Sequence, residues 1–205
     1  MKSSSQLSNQ GRVAEIPRVA FQGEPGAFSE MAIGQYWPAG AVSVPCHSFS
    51  DALELAVGGQ CDFAIIPVEN SIAGLVRAGR DALSAAGAAL RVVGETSLEV
   101  KQCLMALPGA AIRDIRVVES HPVALAQCGR FLAAHPAMHA VPHADTAGAA
   151  HDVSVLGDPT RAAIAAALAA QHYGLEILAR DIQDEIHNYT RFLVLEAAAR
   201  TARIE

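Results

Sequence analysis

Residues 61–71 read Cys-Asp-Phe-Ala-Ile-Ile-Pro-Val-Glu-Asn-Ser. The first seven form an apolar run bounded by turn signals, which is typical of a strand buried on both faces of a parallel sheet. Glu69, Asn70 and Ser71 follow it directly, and functional groups in open α/β sheets gather at the carboxyl ends of the strands. The stretch therefore predicts an α/β fold with polar groups at one edge of a sheet. A turn whose Asn and Ser satisfy backbone groups is the structural alternative.

Short apolar strands and helical stretches alternate on both sides of this run. Residues 160–173 fit either one alanine-rich helix or a strand over 161–165 followed by a helix. Repeated βα units over two stretches of roughly 80 residues predict two small α/β subdomains. The predicted strands are 18–22, 41–45, 61–67, 90–94, 98–107, 116–119, 138–141, 175–179 and 192–195, and the predicted helices are 27–32, 52–57, 75–86, 122–134 and a last one from residue 147. Ser48 and Asp51 have the spacing of a capping box before the second helix, and Asp145-Thr146 is the predicted cap of the last one.

Composition excludes several classes of protein. The chain has 205 residues, 51% of them hydrophobic, with a net charge of −6, which indicates a globular protein rather than a disordered one. No basic cluster is present, so we expect neither nucleic acid nor a membrane surface as partner. No signal peptide or membrane span is visible. The four cysteines form no C-x-x-C pair, which favours reduced thiols in the cytoplasm.

Two further polar clusters interrupt apolar strand ends. Residues 119–122 (Glu-Ser-His-Pro) lead from a strand into a helix, where Ser120 or His121 either caps the helix or forms part of an anion site. Residues 188–192 (Asn-Tyr-Thr-Arg-Phe) lead into the last strand. The guanidinium of Arg191 there needs a carboxylate partner, which either a ligand or one of the acidic residues near in sequence, Asp181, Asp184 and Glu185, would supply.

A metal site is not expected from the histidines. His135, His139 and His143 have helical ligand spacing, but Pro136 and Pro142 interrupt the helix that would carry them. Lysine occurs only at positions 2 and 101, so few residues are available to form a Schiff base with a cofactor. We expect a protein without metal or organic cofactor.

Five motifs together resemble the prephenate dehydratase family. They occur in the order and spacing of that family between residues 18 and 196. The sequences of some of these motifs are also similar to those of arogenate dehydratases. The motifs are residues 21–29 (FQGEPGAFS), 66–71 (IPVENS), 120–122 with 127–128 (SHP and QC), 145–150 (DTAGAA) and 188–192 (NYTRF).

The resemblance implies a two-lobed α/β fold like that of type II periplasmic binding proteins, with the active site in the cleft between the lobes. The first lobe is expected at 18–96 plus 190–196 and the second at 97–188. Residues 1–17 are expected to be a disordered lead and 197–205 a short tail, with no phenylalanine-sensing ACT domain.

The resemblance also implies the activity, the decarboxylating dehydration of prephenate to phenylpyruvate in phenylalanine biosynthesis. Dehydration of arogenate is the nearest alternative, and a non-catalytic two-lobed ligand-binding module is the alternative from another class. A cytoplasmic homodimer or homotetramer is expected. The implied site residues are Thr190 as catalytic hydrogen-bond donor, Arg191 as carboxylate anchor, Phe192 as an apolar wall, Glu69 as an orienting group, and Asn70, Ser71, Ser120, His121 and Thr146 as further substrate-binding groups.

Overall fold

A computed structural model describes residues 16–199, so most of the predicted lead and tail lies outside the described residues. Two β-sheets with helices around them confirm the prediction of two α/β units. The strands are β1 Arg18–Gln22, β2 Val42–Cys46, β3 Phe63–Asn70, β4 Gly74–Leu75, β5 Leu90–Glu99, β6 Cys103–Ala106, β7 Val117–Ser120, β8 His139–Pro142, β9 Arg161–Ala165, β10 Glu176–Ala179 and β11 Tyr189–Ala197. The α-helices are α1 Phe28–Tyr36, α2 Phe49–Val57, α3 Arg77–Ala86, α4 Pro122–Gln127, α5 Gly129–Ala134, α6 Thr146–Leu156 and α7 Ala167–Tyr173.

The first sheet has the order β2-β1-β3-β11-β5, with β4 added beside β3. β1 runs parallel to β2 and β3, whereas β11 runs antiparallel to both β3 and β5. The apolar run in β3 therefore has one parallel and one antiparallel neighbour, and the sheet is mixed. Ala64, Ile65 and Ile66 in its centre are fully buried, as the unbroken apolar pattern predicted.

The second sheet has the order β10-β6-β9-β7-β8, in which β7 is parallel to β8 and β9. The strand predicted over 98–107 was wrong, because Leu98 and Glu99 end β5 and a new strand starts at Cys103. Between them the chain crosses from one sheet to the other. It bonds there to the returning crossover, through Val100 N to Asn188 O (2.7 Å) and Gln102 N to the Gln183 side chain (2.9 Å).

Two helical predictions are refined by the structure. The helix predicted over 122–134 breaks at Cys128 into α4 and α5, and the carboxylate of Asp184 accepts from the N–H of Arg130 in the first turn of α5 (2.9 Å). Residues 160–173 adopt the strand-then-helix alternative, as β9 and α7.

One apolar cluster joins the two sheets beneath the space between them. It combines Phe21 and Ile65 of the first sheet with Met105 of the second and with alanines of α6 and α7. Small side chains allow helix and turn backbones to approach closely. Within residues 16–199 no helix has the length and apolarity to span a bilayer.

Candidate active site

A cleft of about 460 Å³ lies between the two sheets. Its wall is formed by the end of β3 with the turn into β4, the start of β11, and the N-terminal ends of α1, α4 and α6. Among the described residues the wall contains no lysine or arginine, and its titratable side chains are His121 and Asp145. The polar side chains that line it are Gln22, Ser29, Asn70, Gln102, His121, Gln127, Asp145, Thr146 and Thr190.

Thr190 is the second residue of β11, the strand between β3 and β5 through which the chain returns to the first sheet. It pairs with Asn70 at the end of β3 on one side and with Leu98 on the other. Its Oγ1 accepts a hydrogen bond from Asn70 Nδ2 (3.0 Å). The strand register thus holds the hydroxyl at the mouth of a buried sheet, where it faces the cleft.

The side chain of Asn70 is fully engaged within the protein. Its Nδ2 donates to Thr190 Oγ1 and to Asn188 Oδ1 (2.7 Å), and its Oδ1 accepts from the backbone N–H groups of Ile72 (3.0 Å) and Ala73 (2.8 Å). An amide oxygen that accepts from the next residues of its own turn is a common use of asparagine. Both interpretations of the Glu-Asn-Ser stretch hold for Asn70, which organises a turn and also lines the cleft.

The second sheet contributes the starts of α4 and α6. His121 caps α4, because its Nδ1 accepts from Val123 N (3.2 Å); in the neutral ring the proton is then on Nε2. Asp145 caps α6 by accepting from Gly148 N (2.6 Å), as the sequence predicted. Thr146 follows at the first helical position and lines the cleft.

The N-terminal end of α1 enters the cleft from the first sheet. Its N-cap is Ala27, which has no side-chain acceptor for the first turn, so the N–H groups of Phe28 and Ser29 are available to a ligand. Ser29 lines the cleft and is 8% exposed. Ser29 was not among the predicted site residues, although the Gly-Pro turn between a buried strand and a helix was a signal for it.

Arg191 lies outside the cleft wall. Neighbouring residues of a strand point to opposite faces of the sheet, and its guanidinium binds Glu69 (3.2 Å) and Glu95 (3.4 Å). A protein carboxylate is therefore its partner, although neither belongs to the nearby acidic residues that the sequence suggested. Its expected role as a carboxylate anchor, and that of Glu69 as an orienting group, stay predictions.

Three other expected site residues also lie outside the wall. Ser120 is fully buried and donates to the carbonyl of Ile164 (2.5 Å). Ser71 Oγ accepts from Tyr189 N (2.9 Å), so it fastens the turn after β3 to the crossover. Phe192 is 1% exposed and packs in the cluster between the sheets.

The predicted groups that meet in the cleft are thus Asn70, His121, Thr146 and Thr190, joined by Ser29, Gln102, Gln127 and Asp145. Together they present hydroxyl, amide and imidazole donors beside the N-terminal ends of α1, α4 and α6, which carry partial positive charge. Within residues 16–199 no group of three or more His, Cys, Asp or Glu side chains is arranged to hold a metal ion.

A family model described as Prephenate dehydratase matches residues 19–200. The arogenate dehydratase/prephenate dehydratase 2 of Arabidopsis thaliana, a chloroplastic protein, is 41% identical over 193 residues, which are 94% of this chain and 50% of that protein. The bifunctional N-acyl-homoserine lactone acylase/prephenate dehydratase of Komagataeibacter europaeus is 40% identical over 176 residues, 86% of this chain and 61% of that protein.

A solved structure of a prephenate dehydratase is also similar to this chain. The crystal structure of prephenate dehydratase from Arthrobacter aurescens in complex with L-Phe superposes with a TM-score of 0.80 at 36% identity, covering 88% of this chain and 60% of that one. The chain spans about half to three fifths of the length of the first curated relatives that it matches.

Proposed function

The chain belongs to the prephenate dehydratase family, and we propose that it converts prephenate to phenylpyruvate, carbon dioxide and water as a step of phenylalanine biosynthesis. The observation that carries this proposal is the Thr190 hydroxyl at the mouth of the cleft, held by Asn70 and faced by donors from both sheets. The reaction is a lyase reaction in which a ring carboxylate and the C4 hydroxyl leave together.

The barrier of this reaction lies in expelling a poor leaving group, because aromatisation of the ring supplies the driving force. Thr190 Oγ1 donates a hydrogen bond to the C4 oxygen as its bond to carbon breaks, and this stabilises the developing negative charge. A threonine hydroxyl is too weak an acid to be the net source of the proton. Solvent in the cleft supplies the proton that completes the leaving water, and the Nε2–H of His121 donates only a hydrogen bond. The electrons of the broken C–CO₂ bond enter the ring, so no redox cofactor is required.

The substrate carboxylates need an anion site in a wall that has no basic residue among those described. We assign it to the first turns of α1 and α6, where Phe28, Ser29 and Thr146 present backbone N–H groups and hydroxyls. The partial positive charge of a helix N-terminus stabilises an anion there. The apolar part of the wall, including Phe28, Leu75 and Val76, suits the ring.

Thr190→Val tests the catalytic assignment, because valine keeps the shape of the side chain and removes only its hydroxyl. Loss of one positioned donor predicts a fall in kcat of about 10²–10³-fold with KM little changed. Turnover is followed by phenylpyruvate formation. Thr96→Val is the matched control, since Thr96 on β5 bonds to Gln35 (2.7 Å) away from the cleft; its kcat should equal that of the wild type. Near-normal kcat in Thr190→Val would remove Thr190 from the mechanism.

Arogenate is the second candidate substrate, and Asp145 is the observation that favours it. Arogenate carries an ammonium group where prephenate has a keto oxygen, and Asp145 is the carboxylate among the described residues of the wall. Both substrates are assayed side by side with wild type and Asp145→Asn, which keeps a good helix cap and removes the charge. A selective loss of arogenate turnover assigns Asp145 to the ammonium group, whereas equal effects on both substrates refute that assignment.

We also propose that the protein acts in the cytoplasm as a homo-oligomer without cofactor. All four cysteines are free thiols, which fits a reducing compartment. Light scattering of the purified protein gives its assembly state, and a monomer at assay concentrations would refute the oligomer.

A further inference from the structure

A chain of side-chain amides connects α4 to the Thr190 hydroxyl. Asn188 Nδ2 donates to Gln127 Oε1 (3.1 Å), Asn188 Oδ1 accepts from Asn70 Nδ2 (2.7 Å), and Asn70 Nδ2 also donates to Thr190 Oγ1 (3.0 Å). We propose that Asn188 is a positioning residue, which holds the Asn70 amide so that the Thr190 hydroxyl donates into the cleft; this inference rests on the proposed function. Asn188 does not line the cleft itself.

The direction of every hydrogen bond in this chain is determined by the backbone. The N–H groups of Ile72 and Ala73 can only donate, so the atom of Asn70 that faces them is its oxygen. The NH₂ group of Asn70 then faces Asn188, which must present its own oxygen in return. The NH₂ group of Asn188 therefore faces Gln127, whose oxygen accepts.

This direction decides what Thr190 can do. A hydroxyl has a single proton, and here Oγ1 receives a hydrogen from Asn70. The Thr190 proton is thereby left to donate to an acceptor in the cleft, which is the role that the leaving hydroxyl requires. Polarisation along a chain of hydrogen bonds also makes the last hydroxyl a better donor.

Burial makes Asn188 the residue on which this arrangement depends. Its relative exposure is 0%, so no solvent water can replace it as acceptor for Asn70. If Asn188 is lost, the N–H groups of Ile72 and Ala73 still hold Asn70 Oδ1, and the Nδ2 proton that faced Asn188 is left with the carbonyl of Tyr189 (3.2 Å). The amide then turns toward that carbonyl, and its hydrogen bond to the Thr190 hydroxyl loses its alignment. Gln127 belongs to α4 beside the second sheet, so the orientation also depends on how the two lobes meet.

The kinetic test introduces Asn188→Leu into the wild type and into Thr190→Val. We expect kcat to fall about ten- to hundred-fold in the wild-type background with KM changed less than about twofold. In Thr190→Val the same substitution should change residual kcat by less than about twofold, because residues that act through one another are not additive. Gln183→Leu is the control, since Gln183 bonds the same crossover to Gln102 N without contacting Asn70; its kcat should stay normal.

A result that would overturn the inference is normal kcat in Asn188→Leu, or an equal loss in both backgrounds, which indicates a general structural role. Circular dichroism checks folding, and Gln127→Leu carries the same cycle if Asn188→Leu does not fold. A substrate-free measurement separates this inference from the proposed function. Both side-chain amide protons of Asn70 should exchange slowly in nitrogen-15 NMR spectra of the wild type, and rapid exchange refutes the network. Failure of the wild type to turn over either substrate refutes the function alone.

Discussion

Gly26→Ala probes the contact that holds the two lobes together beneath the cleft. Gly26 has φ +90°, and a Cβ built on it would lie 2.5 Å from the Cα of Ala169 in α7 and 2.9 Å from its Cβ and N. These atoms are the backbone and the Cβ of Ala169, none of which can rotate away as the end of a flexible side chain could. An alanine at this position must therefore push the turn before α1 away from α7.

Two contributions set the size of the effect. The left-handed backbone conformation costs an alanine about 1–2 kcal/mol, and overpacking against a fixed neighbour costs about 1–3 kcal/mol. Their sum, about 2–5 kcal/mol, is a large part of the roughly 5–15 kcal/mol typical of a folded domain. For a chain of this length it lowers Tm by on the order of 10 °C. The displaced turn also carries the start of α1, so KM should rise.

Urea denaturation followed by circular dichroism measures the loss of stability, and steady-state kinetics measure KM. Gly34→Ala is the matched control in α1, the helix that follows this turn, because a Cβ on Gly34 meets no atom within 4 Å; it should leave stability unchanged or raise it by up to about 1 kcal/mol. A Gly26→Ala protein within about 0.5 kcal/mol of the wild type would refute the close-contact argument.

Two other substitutions test the surroundings of the site. Arg191→Gln breaks partly exposed ion pairs with Glu69 and Glu95, so unfolding free energy should fall by no more than about 1 kcal/mol with KM nearly unchanged; a KM rise of tenfold or more would place Arg191 on a substrate carboxylate. Burial raises the pKa of Cys128 from 9.0 to about 12 and that of Tyr173 from 10.0 to about 12. The folded state therefore keeps these protons longer, and stability should fall as pH rises from about 9 to 12. Tyr173→Phe should flatten that fall in urea titrations and cost little at pH 7, because the Tyr173 hydroxyl is buried without a partner among the described residues; an unchanged slope would contradict the assignment.

Local chemistry made several elements predictable. The capping box of α2 forms as its spacing indicated, with Asp51 N donating to Ser48 Oγ and Ser48 N donating to the Asp51 carboxylate (both 3.1 Å). The cap of α6 at Asp145 was likewise readable. In both cases donor and acceptor are three residues apart, so neighbouring residues contain all the information.

The alternation of side chains along a strand explains why the site could not be predicted fully from the sequence. Thr190 and Arg191 are adjacent in the sequence and were assigned to one ligand, but β11 directs them to opposite faces of the sheet. The hydrogen bond between Asn70 and Asn188 joins residues 118 positions apart. No local pattern contains such a pair, because the crossover between the sheets brings them together.

The position of β11 has a consequence for the order in which the chain folds. β3 and β5 have no hydrogen bonds to each other and are joined only by β11, which lies between them. A ribosome therefore releases all five strands of the second sheet before β11, the strand that joins β3 to β5, is available to the first sheet. The strands of the second sheet come from one continuous segment, residues 103–179, so that sheet can form first. Until β11 is available, the edges of β3 and β5 that it will join have no partner. Those edges are exposed to wrong pairing until β11 arrives, so the strand that carries Thr190 also closes the fold.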